Sequence, residues 1–501
     1  MSADAPLMLS VSGCRGIFGR TMTPETAARF AGVFGAFLRE RATDLAIEGT
    51  KPLVVLARDG RAGGECLLIA ASAGLMAAGC DVHTLGVAMT PTVGVMVDAR
   101  KAAGGLVLTA SHNPQEWNGL KPVLRSASLS AAPIDASAPG KDTADQLIAL
   151  YEAASDPAFR ARADGKHTWV GPTQTGAFSD APRATMGIPS EPTNTHLYVV
   201  KEALKEIGAH DDRASMAITC VLDSVNASGV EAGAALLGKR LVHHLGAGGS
   251  GLFPHPPEPT KENLVTLGRF TAEKRADVGF AQDPDADRLA IIDERGGYIG
   301  EEYTLVLAAE AVLGAMEARS PGSTKGQILC VNLSTSRMIE DVAAKYGARV
   351  IRTAVGEANV VSAMKKHGSV LGGEGNGGVI WPRVTYIRDS LGSMGLVLAL
   401  MARTGKKISQ LVADVPEYAI VKRKVELRAK EDAQRAVEVV AQTYARERVD
   451  RQDGVRIDFD AKRAWLHVRA SNTEPIMRLI AEAPTKAIAE AVLDDAARVI
   501  G

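Results

Sequence analysis

The chain lacks the features that would mark a thiolate metal site, a membrane span or an export route. Its five cysteines, Cys14, Cys66, Cys80, Cys220 and Cys330, are scattered without CxxC spacing. Neither a zinc–thiolate site nor a disulfide framework is therefore expected. Cys66, Cys80, Cys220 and Cys330 lie in apolar runs and read as small core residues, which suits a reducing, cytoplasmic setting. Cys14, in a glycine-rich turn, is the one cysteine expected to be reactive. No uninterrupted apolar run approaches the roughly 18 residues of a transmembrane helix. Met1-Ser2-Ala3-Asp4 has no basic character and no long apolar stretch precedes Gly13, so no secretory signal is expected. Charge of one sign is not in excess either: 57 Lys and Arg stand against 58 Asp and Glu, for a formal net charge of −1. Bulk attraction to nucleic acid or to an anionic membrane is not expected.

What is present is an ordinary globular composition, 46% hydrophobic and 23% charged, over 501 residues. That is too long for one core, so several domains are expected. A strand–turn–helix pattern recurs three times. The first copy has strands over 52–59, 79–86 and 105–108, the last ending at Thr109-Ala-Ser111-His112-Asn-Pro114. The second has strands over 217–223, 238–246 and 276–282, ending at Asp283-Pro-Asp285-Ala-Asp287-Arg288. The third has strands over 327–332, 347–356 and 368–371, ending at Gly372-Gly-Glu374-Gly-Asn376-Gly-Gly378. Asp223 and Asn332 each precede a glycine, Gly238 and Gly347, by 15 positions. Loops at strand ends are where α/β sheets bind ligands. Ahead of the first copy, Thr23-Pro24 opens a helix with an apolar face of Phe30, Val33, Phe34, Phe37 and Leu38. Residues 126–192 read as the tail of the first domain plus a linker, with a helix over 141–155. From about Val415 the pattern changes to strands with helices over 430–448 and 486–500, a small α+β domain.

The loops carry the chemistry. Ser111 and His112 at a strand end read either as a nucleophile with its neighbour or as a polar turn capping the next helix. In Asp283-x-Asp285-x-Asp287 alternate residues point one way. Three converging carboxylates repel unless a cation lies among them, and hard oxygen ligands suit Mg²⁺ or Ca²⁺. An EF-hand is excluded although Glu294 lies at position 12: position 6 is Arg288 where glycine is needed, and a strand follows. Arg469-Ala-Ser471-Asn472-Thr473 places a guanidinium, two hydroxyls and an amide on one turn, which suits a phosphate or serves as an ordinary hairpin. The glycines around Glu374 and Asn376 let a hydroxylated ligand lie close to the backbone, or leave a plain surface loop.

Taken together, TASHNP with Asn118-Gly119-Leu120-Lys121 after it, DPDADR, GGEGNGG and RASNTEP resemble the loops of the α-D-phosphohexomutase superfamily, in that order. SGCRGIFG, LARDGR, LGVAMTPT and FPHPPEP are similar to further family segments, so the resemblance runs from Ser12 to Pro475. It implies an α/β protein with three similar αβ domains of mixed sheets and a smaller α+β C-terminal domain around a central cleft. The corresponding spans here are 1–192, 193–303, 304–413 and 414–501. Ser111 would carry a phosphoryl group. Asp283, Asp285 and Asp287 would hold Mg²⁺ with Ser111. Glu374 and Asn376 would read sugar hydroxyls, and Arg469, Ser471, Asn472 and Thr473 would bind the phosphate that does not react. Arg15, Lys121 and Arg288 would supply positive charge, Arg15 or Lys121 handling the proton of the attacking hydroxyl, while His112 orients the serine.

The implied activity interconverts hexose 6- and 1-phosphates through a hexose 1,6-bisphosphate, which also serves as activator. The order Asn376-Gly377-Gly378, and Glu357 after Gly356, favour glucosamine phosphate. Mannose or glucose phosphate, and a Mg²⁺-dependent sugar-bisphosphate synthase or phosphatase, are the alternatives. The expected partner is a small sugar phosphate, without nucleic acid or membrane, bound by a monomer or homodimer.

Overall fold

A computed structural model describes residues 6–41, 51–125, 134–154, 167–169, 189–208, 217–427, 432–470 and 476–500. Local sequence explains the first helix, Pro24–Glu40: the Thr23 side chain accepts from the Thr26 amide and proline occupies the first turn. Its buried face, Phe30, Val33, Phe34, Phe37 and Leu38, lies against the helix Gly64–Ala77. The helices approach closely because Gly74 has no side chain; a Cβ there would stand 2.1 Å from the Ala28 carbonyl oxygen.

Three sheets share one arrangement. In the first, Leu53–Arg58 runs parallel to both Asp81–Val87 and Gly104–Leu108, and Trp117–Leu124 returns antiparallel beside Gly104–Leu108. In the second, Cys220–Asp223 lies between Leu241–Leu245 and Val278–Gln282, with Leu289–Ile292 antiparallel. In the third, Ile328–Asn332 lies between Arg349–Thr353 and Leu371–Glu374, with Gly378–Ile380 antiparallel. The three-copy pattern is therefore real, and each copy closes with an antiparallel fourth strand. In every copy the chemistry-bearing loop joins the third strand to the fourth, so all three loops occupy equivalent positions. The C-terminal domain is a five-stranded antiparallel sheet, from Ala419–Glu426 at one edge to Arg448–Asp450 at the other. Helices Asp432–Thr443 and Lys486–Ile500 contribute to its core.

Several expectations need correction. The last strand of the third copy is Leu371–Glu374, not 368–371, so Gly372, Gly373 and Glu374 belong to the strand. The glycines look loop-like in sequence, yet Gly372 has no room for a side chain: a Cβ would meet the Met364 sulfur at 2.4 Å. The helix expected over 430–448 ends at Thr443, and Arg448–Asp450 is an edge strand. The helix Glu191–Glu206 begins inside the expected linker, with Pro192 in its first turn, so the 192/193 boundary cuts a helix. The 303/304 boundary likewise falls in the first turn of Glu302–Arg319. The loop-like stretch 171–182 lies outside the described residues. Cys14 sits in the strand Gly13–Ile17, fully buried, and burial pushes its thiol up to about 12, so it is not reactive. Cys66 is exposed rather than core. Among the described residues no helix is long and apolar enough to cross a membrane.

The C-terminal domain docks on the third domain through buried polar groups. Arg456 lies over the Trp465 ring, 4.3 Å from its centroid, and donates to the Leu333 carbonyl. Glu482 accepts from the Arg337 amide and the Trp465 indole, both at 2.9 Å. His467 lies 2.8 Å from both the Ser334 hydroxyl and the Asp453 carbonyl. A carbonyl only accepts, so Nε2 carries the hydrogen and Nδ1 accepts from Ser334. Burial pushes the His467 pKa down to about 4. An unfolded histidine protonates near 6.5, so stability is full above that value and is lost as pH falls towards 4. Calorimetry of His467→Gln between pH 7 and 4 should show a shallower acid-induced fall in Tm than wild type; parallel curves would contradict this.

Candidate active site

The serine loop is held from beneath. Leu108 ends a fully buried strand, and the Ser111 amide then donates to Thr109 Oγ1 at 2.8 Å. Ser111 adopts φ +51°, a left-handed conformation that a residue with a Cβ adopts only under constraint. Arg61 supplies that constraint. Its guanidinium, completely buried, donates to the Ser111 carbonyl at 2.5 Å and the Trp117 carbonyl at 2.7 Å. It is paired with the buried Asp59 carboxylate at 2.8 Å, which also accepts from the Arg61 amide at 3.0 Å. The loop therefore presents Ser111 Oγ in one direction, 3.1 Å from Asp283 Oδ2 and 3.3 Å from His112 Nδ1. Burial and the charges of Arg288 and Arg15 push the His112 pKa down to about 3. Such a ring is a poor general base at neutral pH.

Asp283, Asp285 and Asp287 are fully buried, with one carboxylate oxygen from each within 4.8 Å of the others. The second strand copy ends at Gln282, and Ala286, at φ +53°, turns the loop. Asp283 accepts from the Arg288 amide at 3.1 Å with Oδ1 and from Ser111 with Oδ2. Asp285 Oδ2 accepts from the Thr90 hydroxyl at 2.7 Å, and Asp287 Oδ2 from Lys121 at 2.8 Å and Arg388 at 2.6 Å. Oδ1 of Asp285 and Oδ1 of Asp287 are buried with no hydrogen-bond partner. Two orphaned, hard, anionic oxygens beside a third carboxylate fit a small divalent cation. Burial, then the charges of Asp285 and Asp287, hold the Asp283 carboxyl well above the usual range. Burial acts the same way on Asp287, but Arg388, Lys121 and Arg288 outweigh it and hold that carboxyl below the usual range.

Glu374 ends its strand and accepts from Asn332 at 2.8 Å, the Gly356 amide at 3.2 Å and Arg388 at 2.8 Å. Asn376 Oδ1 accepts from the Gly378 amide at 3.2 Å. Gly375 is required because the buried Glu302 carboxyl occupies the place of a Cβ, 2.1 Å from it. The glycine-rich loop after Glu374 and the strand that follows the three aspartates are joined directly, the Leu289 amide donating to the Gly377 carbonyl at 3.0 Å. Glu357, at the start of the helix Glu357–His367, lies 3.4 Å from Arg388 and 3.8 Å from Lys121. Burial works against the Lys121 charge, yet Asp287, Glu357 and Asp285 raise its pKa above that of an ordinary lysine. Arg15 stands opposite Gly119 in the first sheet. Burial lowers its pKa, while Asp285 and Asp287 counter the shift. Arg288 Nε lies 3.9 Å from Asp287 Oδ1.

The structure thus brings Ser111, His112, Lys121, the three aspartates, Arg288, Glu357 and Glu374 into one connected cluster, with Arg15 within its electrostatic reach. Arg469 stands apart, in the strand Ala464–Ala470, 3.5 Å from Asp453, whose carboxylate also accepts from the Val355 amide at 3.2 Å. Ser471, Asn472 and Thr473 lie outside the described residues. Two residues escape sequence reasoning. Arg61 belongs to the LARDGR segment, which is a usable signal. Arg388 lies in none of the quoted segments; its only local signal is the following Asp389, which caps the helix Ser390–Thr404.

Comparison with known proteins gives matches along nearly the whole chain. Sequence profiles described as phosphoglucomutase/phosphomannomutase alpha/beta/alpha domains I, II and III match residues 8–135, 197–297 and 301–418. The profile of the C-terminal domain matches residues 420–499. A phosphoglucomutase/phosphomannomutase of Thermococcus kodakarensis is 32% identical over 492 residues, 96% of each chain. A Methanopyrus kandleri protein named "Probable phosphoglucosamine mutase" is 31% identical over 488 residues, 97% of this chain and 95% of its own. A crystal structure of a phosphoglucomutase/phosphomannomutase family protein from Burkholderia thailandensis superposes with a TM-score of 0.76 at 25% identity, over 98% of both chains.

Proposed function

The chain belongs to the phosphoglucomutase/phosphomannomutase family, and from that membership we propose that it is a phosphohexomutase working through a phosphoserine at residue 111. The observation that carries this reading is the 3.1 Å contact of Ser111 Oγ with Asp283, in an acidic triad where Asp285 Oδ1 and Asp287 Oδ1 are buried without a hydrogen-bond partner. A hydroxyl held against a cation site, beside a histidine that resists protonation, suits a phosphate carrier better than a base-activated nucleophile.

In the proposed cycle phosphoserine 111 meets a hexose monophosphate. The bond from phosphorus to Ser111 Oγ breaks, and one to the free sugar hydroxyl forms. The proton that the hydroxyl gives up ends on Ser111 Oγ, its transfer assisted by Arg15, whose pKa burial lowers, while Lys121, held as a cation by Asp287, Glu357 and Asp285, supplies positive charge. The products are a hexose 1,6-bisphosphate and free serine. The bisphosphate turns over and returns its other phosphoryl group to Ser111, releasing the isomeric monophosphate. Asp283, Asp285, Asp287 and Ser111 would hold Mg²⁺, which when bound offsets the charge of the phosphoryl oxygens. Arg288 adds positive charge beside them, and His112 orients the serine. Glu374 and Asn376 read the sugar hydroxyls, and Arg469 with Ser471, Asn472 and Thr473 grips the phosphate that does not react.

Glucosamine phosphate is the favoured sugar. Glu357 supports this choice, since its carboxylate already serves two cationic side chains and would accept a substrate ammonium in their place. The name of the Methanopyrus kandleri relative points the same way. The test is a coupled assay of the purified protein with glucosamine, glucose and mannose phosphates, each primed with its bisphosphate. Interconversion of 1- and 6-phosphates, fastest for glucosamine, is expected. Net release of free phosphate or accumulation of bisphosphate would instead identify a phosphatase or synthase.

A further inference from the structure

Arg388 spans the metal loop and the sugar loop. Nη2 donates to Asp287 Oδ2 at 2.6 Å, Nη1 to Glu374 Oε2 at 2.8 Å, and Nε lies 3.4 Å from Glu357 Oε2. The guanidinium is nearly buried, so these charges act on one another at short range with little solvent screening. Its position is fixed at both ends. Its own amide donates to Glu357 at 3.2 Å. Asp389 accepts from the Leu391 and Gly392 amides and contacts buried His196 at 3.2 Å. The Ser390 hydroxyl donates to the carbonyl of Ala286, inside the metal loop, at 2.7 Å. The side chain crosses Gly378, where a Cβ would stand 2.2 Å from Arg388 Cδ; that glycine exists to let the arginine through.

We propose that Arg388 is a built-in counter-ion of the metal loop: it holds Asp287 and Glu374 in place without a metal, and it lowers the affinity of the triad for a divalent cation. The inference rests on the cation-binding role assigned above to the triad. Five carboxylates, Asp283, Asp285, Asp287, Glu357 and Glu374, share this cluster with Lys121, Arg288, Arg388 and nearby Arg15. Removing Arg388 leaves the charge of Asp287 offset only by Lys121 and Arg288, and takes from Glu374 its cationic partner. A divalent cation should then bind more tightly, while a phosphorylated sugar should bind more weakly. Arg388 is a positioning residue in this account, since it acts through Asp287 and Glu374. A purely structural role predicts something different, because a distorted site loses affinity for both ligands.

The test is calorimetric titration of the full-length protein with MgCl₂ alone, then with a hexose 6-phosphate. Arg388→Gln should bind Mg²⁺ at least tenfold more tightly than wild type and the sugar phosphate at least tenfold more weakly. Arg388→Lys keeps the charge but cannot reach both loops, so its Mg²⁺ affinity should fall between the two. If Arg388→Gln does not fold, Arg388→Lys decides. Unchanged or weaker Mg²⁺ binding in the folded variant overturns the inference. A wild-type protein that binds no Mg²⁺ overturns the reading of the triad itself.

Discussion

Replacing Ser111 with alanine should remove mutase activity, a loss on the order of 10⁴-fold or more, as is seen when an enzyme loses its covalent nucleophile. The fold should survive. Alanine can occupy the same left-handed backbone position, φ +51°, whose strain serine already bears. Arg61 holds the loop through the carbonyls of residues 111 and 117, not through the serine hydroxyl. Tm should therefore stay close to wild type while the coupled assay falls to background. A variant that kept substantial activity would contradict the role given to Ser111.

The largest loss of stability is expected from Arg61→Met. Arg61 is completely buried and paired with Asp59. Removing one member of such a pair leaves an uncompensated buried charge and costs about 3–5 kcal/mol. Two carbonyls, of Ser111 and Trp117, also lose their donor. Because the clamp sets the direction of Ser111 Oγ, the surviving folded enzyme should lose kcat more than it raises KM. A second substitution, Asp59→Asn, removes the stranded charge and should restore part of the stability, a coupling that a double-mutant cycle measures. A loss below about 1 kcal/mol for Arg61→Met would show that the pair is not what holds the loop.

Much of the architecture is legible in the sequence because the repeat is written in short apolar runs that end in polar loops. The antiparallel strand of the first copy is hidden because Gly119 and Pro122 interrupt it, although both lie within Trp117–Leu124. That of the third copy is hidden by its length, three residues. Cys14 looks reactive because it lies in a glycine-rich stretch, yet its strand is paired on both sides. The residues proposed to act directly are legible because several chemical groups crowd a short stretch. The residues that hold them are not. Arg61 meets the Ser111 and Trp117 carbonyls 50 and 56 positions away, and Arg388 meets Asp287 101 positions away. The contacts of Arg61 exist only once the first domain is folded, and that of Arg388 with Asp287 only once the second and third domains are assembled. Glu357 is half legible: its position after Gly356 draws notice, but its pairing with Arg388 and Lys121 appears only in three dimensions.

The most direct measurement is mass spectrometry of the peptide containing Ser111 after incubation with a hexose 1,6-bisphosphate and Mg²⁺. One added phosphoryl group is expected, on Ser111, and should disappear when excess hexose monophosphate is then supplied. A protein that turns over hexose phosphates while Ser111 stays unmodified throughout, or that carries the phosphoryl group on another residue, would contradict it.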